Sequence, residues 1–193
     1  MSQIPSKGDS SREMFNPKDL LLIAETVQMA EELVSDHFKM SASEWLRPRY
    51  DVKTLTDLSP EEIVDGPFAQ IIRYLGKPHD RNLGSAAYDF YKICLQDHAI
   101  LKALHESSEL GPMPFLLYII THELIHIVRF SKFIQRFDAS ETEKQSEEIR
   151  VHGITHEILK PLSVEGLDAV FQFYRQWHSP LEALPLSNDG TTS

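Results

Sequence analysis

The sequence predicts an all-α single domain of six or seven helices packed as a bundle. Apolar residues recur at helical spacing through most of the chain. Several of these stretches open with a capping residue or a proline and close at a Gly-Pro break. Only the segment 50–55 alternates in the manner of a strand, and one strand does not make a sheet.

The predicted helices follow one another with short breaks. The first opens at the cap Asn16-Pro17, and its apolar residues are Leu20, Leu21, Ala24, Val27, Ala30, Val34 and Phe38. A capping-box pattern at 59–62 opens a short helix, and 68–75 forms another that Gly76 and Pro78 end. The remaining predicted helices cover 84–107, 114–137, 140–159 and 163–177. The helix over 114–137 is the central one.

Length and composition predict one compact domain. The chain has 193 residues, of which 41% are hydrophobic and 25% charged, so it can form a sizeable core. The domain is predicted to span 16–184, between disordered tails at 1–15 and 185–193. The net charge of −10 disfavours nucleic acid and anionic membranes as partners.

Cysteine content limits the kind of metal site that the chain can form, and targeting patterns bear on its location. Cys94 is the only cysteine, so a metal site must be built from His, Glu and Asp. The N-terminus lacks the apolar core of a signal peptide, and the longest apolar run, 114–120, is too short to span a bilayer. The sequence therefore predicts a cytoplasmic protein without a membrane partner.

The segment 121–126, Thr-His-Glu-Leu-Ile-His, contains the pattern His-Glu-x-x-His. His122 and His126 are four residues apart, so on a helix their imidazoles lie on one face and can bind one ion. Two imidazoles and a carboxylate suit zinc, which lowers the pKa of a bound water to about 7. Glu123 would then take the proton from that water and deliver it to a leaving group. The pattern thus predicts a zinc site with Glu123 as the catalytic base.

The position of Glu123 on its helix supports this interpretation. The polar residues that mark a predicted solvent face are Thr121, Arg129, Lys132, Gln135 and Arg136. Glu123 falls almost opposite that face, where a carboxylate is costly unless it is paired or lies near a metal. The alternative is a helix with two boundary histidines and a glutamate that bonds an arginine elsewhere.

A third ligand is expected from the next helix, because the short loop between the two makes them antiparallel neighbours. The apolar residues that define the buried side of this helix are Val151, Ile154, Ile158 and Leu159. Glu148 falls within that side and is the predicted third ligand. His152, one turn further on, is either an alternative ligand or a residue that orients one. Glu147, His156 and Glu157 are predicted to face solvent.

These two helices resemble the metal-binding helices of the zincin metallopeptidases, specifically of the gluzincin branch. His122, Glu123 and His126 match the motif, and Glu148 or Glu147 matches the glutamate ligand on the second helix. The resemblance implies a zinc-dependent hydrolase of peptidase type, with an α+β zincin-like fold as the alternative to the bundle. The family usually has an acidic residue where this chain has His152. It also lines its cleft with an edge strand that holds the peptide, which an all-α fold lacks.

Two other functions are compatible with the motif. Glu123-x-x-His126 is also the Glu-x-x-His pattern of ferritin-like helical proteins, which bind two iron or manganese ions. That architecture needs a second such pair, and the spacing from Glu148 to His152 is one residue too long. The third possibility is a non-catalytic, metal-stabilised binding module, for which a closed four-ligand shell that includes His152 would be typical. The sequence does not decide whether the substrate is a peptide or a small molecule.

Overall fold

The computed structural model describes residues 12–41, 44, 49–76, 88–132 and 140–182. Within these ranges the elements are α1 (Pro17–Phe38), β1 (Arg49–Lys53), β2 (Ala69–Gly76), β3 (Tyr88–Leu95), α2 (Asp97–Glu106), α3 (Pro112–Ser131), α4 (Glu141–Leu159) and α5 (Leu167–Glu182). The predicted tails lie outside the described residues except for 12–15. There, Phe15 is buried and its backbone N–H donates to the carboxylate of Asp97 at 2.9 Å.

The prediction of an all-α bundle is wrong, because three strands form a mixed sheet. The strand order is β1-β3-β2, with β1 parallel and β2 antiparallel to β3. β1 coincides with the one segment predicted as a strand. β2 replaces the helix predicted over 68–75, and β3 replaces the first half of the helix predicted over 84–107. The fold is therefore a mixed α+β fold.

The burial of β3 explains the error. β3 is the middle strand, so residues on both of its faces are buried or partly buried, and its sequence is apolar apart from Asp89 and Lys92. A short apolar run of this kind fits helical and strand periods equally well. The side chains of Tyr91, Ile93 and Leu95 are buried at the two-residue spacing of a strand. Aromatic and β-branched residues, which favour strands, dominate this segment.

The predicted helix starts are confirmed at two sites. The Asn16 side chain accepts hydrogen bonds from the backbone N–H groups of the first turn of α1, and Ser140 forms a capping box with Glu143 at the start of α4. The capping-box segment 59–62 forms only a 3₁₀ turn, Pro60–Glu62. The last helix begins at Leu167 instead of 163.

α3 is the central helix of the described chain. It packs against α1, α4 and α5 and also contacts β2 and β3. Because neighbours cover it on several sides, Thr121 and Arg129 are buried, and their predicted place on a solvent face is wrong. Lys132 is exposed as predicted, and Gln135 and Arg136 lie outside the described residues.

By length and composition, α3 is the one helix in the described ranges that could cross a membrane. Of its apolar window, 89% is buried inside the protein. The core helix of a soluble protein meets the same criterion, so this is weak evidence for a membrane span.

Candidate metal centre

Two neighbouring turns of α3 place the imidazoles of His122 and His126 side by side. Both residues are buried, and their Nε2 atoms are 3.1 Å apart. The spacing of four residues produces this arrangement, because side chains at i and i+4 lie one above the other on a helix. The ring of Phe130, one turn further on, stacks against that of His126 with centroids 5.9 Å apart. The two imidazoles are thus held by packing as well as by the helix.

α4 supplies the carboxylate that completes the cluster. Glu148 Oε2 lies 3.2 Å from His122 Nε2, and Glu148 Oε1 lies 3.2 Å from His126 Nε2. The helices run antiparallel as predicted, since contacts join 129 to 147, 122 to 148 and 118 to 152. The side chain of Glu148 is 50% exposed, so the cluster opens to solvent on the α4 side.

The geometry of this cluster fits a metal ion. One ligand atom from each of the three residues lies within 4.8 Å of the other two. Ligand atoms around a tetrahedral ion with bonds of about 2.0–2.1 Å are separated by roughly 3.3 Å, close to the contacts given above. Hydrogen bonds alone satisfy the cluster poorly, because the two Nε2 atoms carry at most two protons for three contacts. A cation between the three groups would satisfy all of them.

The charges in the cluster stabilise an ionised Glu148. Partial burial acts to raise the pKa of this carboxyl, but hydrogen bonds from His122 and His126 outweigh it and hold the pKa well below its usual range. Burial likewise acts to lower the pKa of His126, and the nearby Glu148 raises it above its usual value. Glu148 is thus ready to act as an anionic ligand at neutral pH.

Glu123 lies beside the three candidate ligands and is not one of them. It is partly buried and lines the same pocket as the three ligand residues. Burial raises the pKa of Glu123 to about 7, an effect that the nearby His126 reduces and Glu148 reinforces. A carboxyl with a pKa near neutrality can both accept and donate a proton, which is the requirement for a general base.

His152 occupies a position next to the cluster. Its ring centroid is 4.2 Å from that of His122, and its Nδ1 is hydrogen-bonded to the Tyr118 hydroxyl at 2.8 Å. The Tyr118 ring in turn stacks on that of Tyr174 with centroids 4.1 Å apart. His152 is not among the three grouped ligands. The hydrogen bond to Tyr118 does not reach any of the three, so the role of His152 as an alternative ligand or as a residue that orients one stays a prediction.

A pocket of about 360 Å³ opens over the ligand residues. The first residues of β2 and the segment before it form one wall, and β2 is an edge strand in the part of the sheet that the structure describes. The apolar side chains that line the pocket are Phe68, Ile71, Ile119, Phe130 and Tyr174. A mainly apolar cleft with a few convergent polar groups is typical of a substrate site.

The partner of Arg129 is a residue that was predicted to face solvent. The Arg129 guanidinium donates two hydrogen bonds to Glu147, and both residues are buried. The prediction that Glu147 faces solvent is therefore wrong, and so is the place of Glu148 on the buried side, because Glu148 is exposed. Val151, Ile158 and Leu159 are buried as predicted. The available signal was that Glu147, Val151 and Thr155 follow one another at intervals of four residues, which places them on one face.

The structure brings together most of the residues predicted for the site. His122, His126 and Glu148 form the cluster, Glu123 lines its pocket, and His152 lies alongside. Glu157 is exposed as predicted, whereas the ring of His156 packs against Phe171 with centroids 4.4 Å apart. A comparison of the chain with protein-family models, curated proteins and solved structures finds no match.

Proposed function

We propose that this protein is a zinc-dependent hydrolase of the peptidase type. One observation carries the proposal, namely that two histidines and a glutamate converge at metal-binding distances beside Glu123 in one open pocket. A four-coordinate ion that is held by three protein ligands has one coordination position open for water or substrate, which is typical of catalytic zinc. The alternative of boundary histidines with Glu123 bonded to an arginine lacks support, because the buried arginine of α3 pairs with Glu147 instead.

The residues of the site have distinct roles in this proposal. His122, His126 and Glu148 hold the ion, and zinc bound there would polarise a carbonyl and lower the pKa of water. Glu123 accepts the proton of the attacking water and delivers it to the leaving group. Its partly buried position and its pKa of about 7 suit both transfers.

The position of β2 supports a peptide as the substrate. An extended peptide can add to an exposed sheet edge through main-chain hydrogen bonds, while pockets take up alternate side chains. β2 supplies such an edge along one wall of the pocket, which the apolar side chains of Ile119 and Tyr174 also line. This is the element that the gluzincin resemblance requires and the all-α prediction lacked. We therefore infer that the substrate is a peptide with apolar side chains near the cleaved bond.

The ferritin-like alternative fits the fold less well. It needs a four-helix bundle with a second Glu-x-x-His pair and two further carboxylates around two ions. In the described part of the chain, one group of three residues could hold an ion, and a sheet covers one side of the motif helix. A non-catalytic module would close the shell with a fourth ligand, whereas His152 lies outside the group of three.

The test combines metal analysis with hydrolysis. The purified wild-type protein should bind one zinc and cleave members of a peptide library that carry apolar residues. Glu123→Gln keeps the shape of the side chain and removes its basicity, so zinc content should stay at one while turnover falls by about 10²–10⁴-fold. If Glu123→Gln loses its metal, Glu123 is a ligand, and the hydrolase proposal fails. Two bound irons in the wild type would support the ferritin-like alternative instead.

A further inference from the structure

A buried ion pair joins α3 to α4 next to the metal ligands. Arg129 follows His126 by three residues, and Glu147 directly precedes Glu148. Arg129 Nη2 donates to Glu147 Oε2 at 3.0 Å, and Arg129 Nε donates to Glu147 Oε1. The exposed fractions of the two residues are 6% and 4%. A guanidinium that binds both oxygens of a carboxylate fixes the direction as well as the distance of its partner.

The first half of α4 has few other attachments to the rest of the protein. Residues 141–150 are all described, and Glu147 is the one buried residue among them. The next buried side chain along the helix is that of Val151. Glu148 itself is half exposed, so packing does little to hold it opposite the histidines. Apart from the contacts of Glu148 with the two histidines, the turn that carries the third ligand is therefore attached to α3 chiefly through Glu147.

We propose that Arg129 and Glu147 are positioning residues for the metal site, whose pairing holds Glu148 opposite His122 and His126. This inference rests on the proposed metal site and adds two residues that bind no metal themselves. Without the pair, the turn around Glu148 would move relative to α3, and part of the binding free energy of the metal would be spent on ordering it. The loss of such a supporting residue typically weakens metal binding by about 10–100-fold.

The choice of variants separates positioning from folding. Arg129→Met alone leaves a buried, unpaired carboxylate that can unfold the protein. The double variant Arg129→Met, Glu147→Met removes both charges and fills the space with apolar side chains, which commonly preserves stability. Arg150→Met is the matched control, because Arg150 also donates to Glu147, at 3.3 Å, but has a side chain that is 61% exposed.

Two measurements test the proposal. In competition with a chelator, the folded double variant should bind zinc about tenfold more weakly or worse, while Arg150→Met should match the wild type. In the metal-free proteins, hydrogen exchange of the backbone amides of 145–150 should accelerate in the double variant and stay unchanged in Arg150→Met. Unchanged exchange in the double variant would overturn the proposal even if no variant binds zinc.

If the wild type binds no zinc but exchange accelerates as expected, the positioning of Glu148 stands and the proposed hydrolase fails. Unchanged zinc affinity in the double variant, with the wild type binding zinc, would also overturn the proposal.

Discussion

The close approach of two imidazole nitrogens is the residue-scale feature on which the site depends. His122 Nε2 and His126 Nε2 lie 3.1 Å apart in a buried environment, where one proton at most can bridge them. Glu148 faces both, and its low pKa keeps it anionic at neutral pH. The two imidazoles and the carboxylate make three contacts but share two protons, so one contact has no hydrogen bond. A cation bound between the three groups would interact favourably with all of them.

Alanine variants of Glu148 and His152 should differ in the amount of zinc that they bind. Glu148→Ala removes one of three ligands, so zinc occupancy at an equimolar ratio should fall below about one half. His152→Ala should keep stoichiometric zinc, because its Nδ1 is hydrogen-bonded to Tyr118 and the residue lies outside the cluster. Atomic absorption measures the zinc content of the two purified variants. Equal losses of zinc would show that His152 is a fourth ligand and would favour the non-catalytic module.

The sequence predicted the relative placement of the motif residues well, because helical spacing alone decides it. His122, Glu123 and His126 sit on one well-defined helix, so their mutual geometry follows from a spacing of one turn. The face of α4 was harder to predict, because its buried row contains a charged residue, Glu147, whose burial depends on Arg129. A pattern of apolar residues cannot reveal a buried ion pair between two helices.

At the scale of elements, a polar network around Glu62 connects a turn to one face of the sheet. The Glu62 carboxylate accepts hydrogen bonds from Lys92 Nζ at 2.6 Å, from the Tyr74 hydroxyl at 2.7 Å and from the backbone N–H of Ser59 at 2.9 Å. The largest influence on this carboxyl is the hydrogen bond from Lys92, and together the donors lower the pKa of Glu62 to about 2. The network links the Pro60–Glu62 turn to β2 and β3.

This network predicts a stability that depends on pH. The folded state lowers the pKa of Glu62 from 4.5 to about 2, so it favours the ionised form. The stabilisation is present in full above pH 4.5 and is lost as the pH falls towards 2. Glu62→Gln should therefore be less stable than the wild type near pH 6, and the difference should shrink between pH 4.5 and 2. Urea unfolding at a series of pH values measures it, and a difference that does not change with pH would contradict the assignment.

The strands of this sheet show where prediction from the sequence reaches its limit. β1 was predicted because its residues alternate, whereas the sequence of the middle strand, β3, lacks that alternation. β2 contains Ile71 and Ile72 in adjacent positions, which a helix and a strand can both accept. What decides in favour of strands is the pairing of β2 with β3, and such non-local hydrogen bonds are not visible in either segment alone.

At the scale of the whole molecule, the proposed metal site connects two helices, so a bound ion should stabilise the fold. A ligand that binds only the folded state adds about 2.7 kcal/mol at a free concentration of 100 times its Kd. For a domain of this size, that energy corresponds to a rise in Tm of roughly 5–10 °C. Thermal unfolding with added zinc and with excess chelator measures the shift. His122→Ala should show almost none, and an equal shift in that variant would mean that zinc binds elsewhere.

The contrast between a buried α3 and a half-exposed α4 has a consequence for kinetics. Two of the three ligands belong to the central helix of the core, which can release them only when the molecule opens extensively. The third belongs to a turn in which Glu147 alone is buried, so this turn can separate at a much smaller cost. We expect the ion to enter and leave on the α4 side, with the carboxylate of Glu148 detaching before either imidazole. The rate of metal exchange would then be set by the opening of one helical turn, independently of the global unfolding rate.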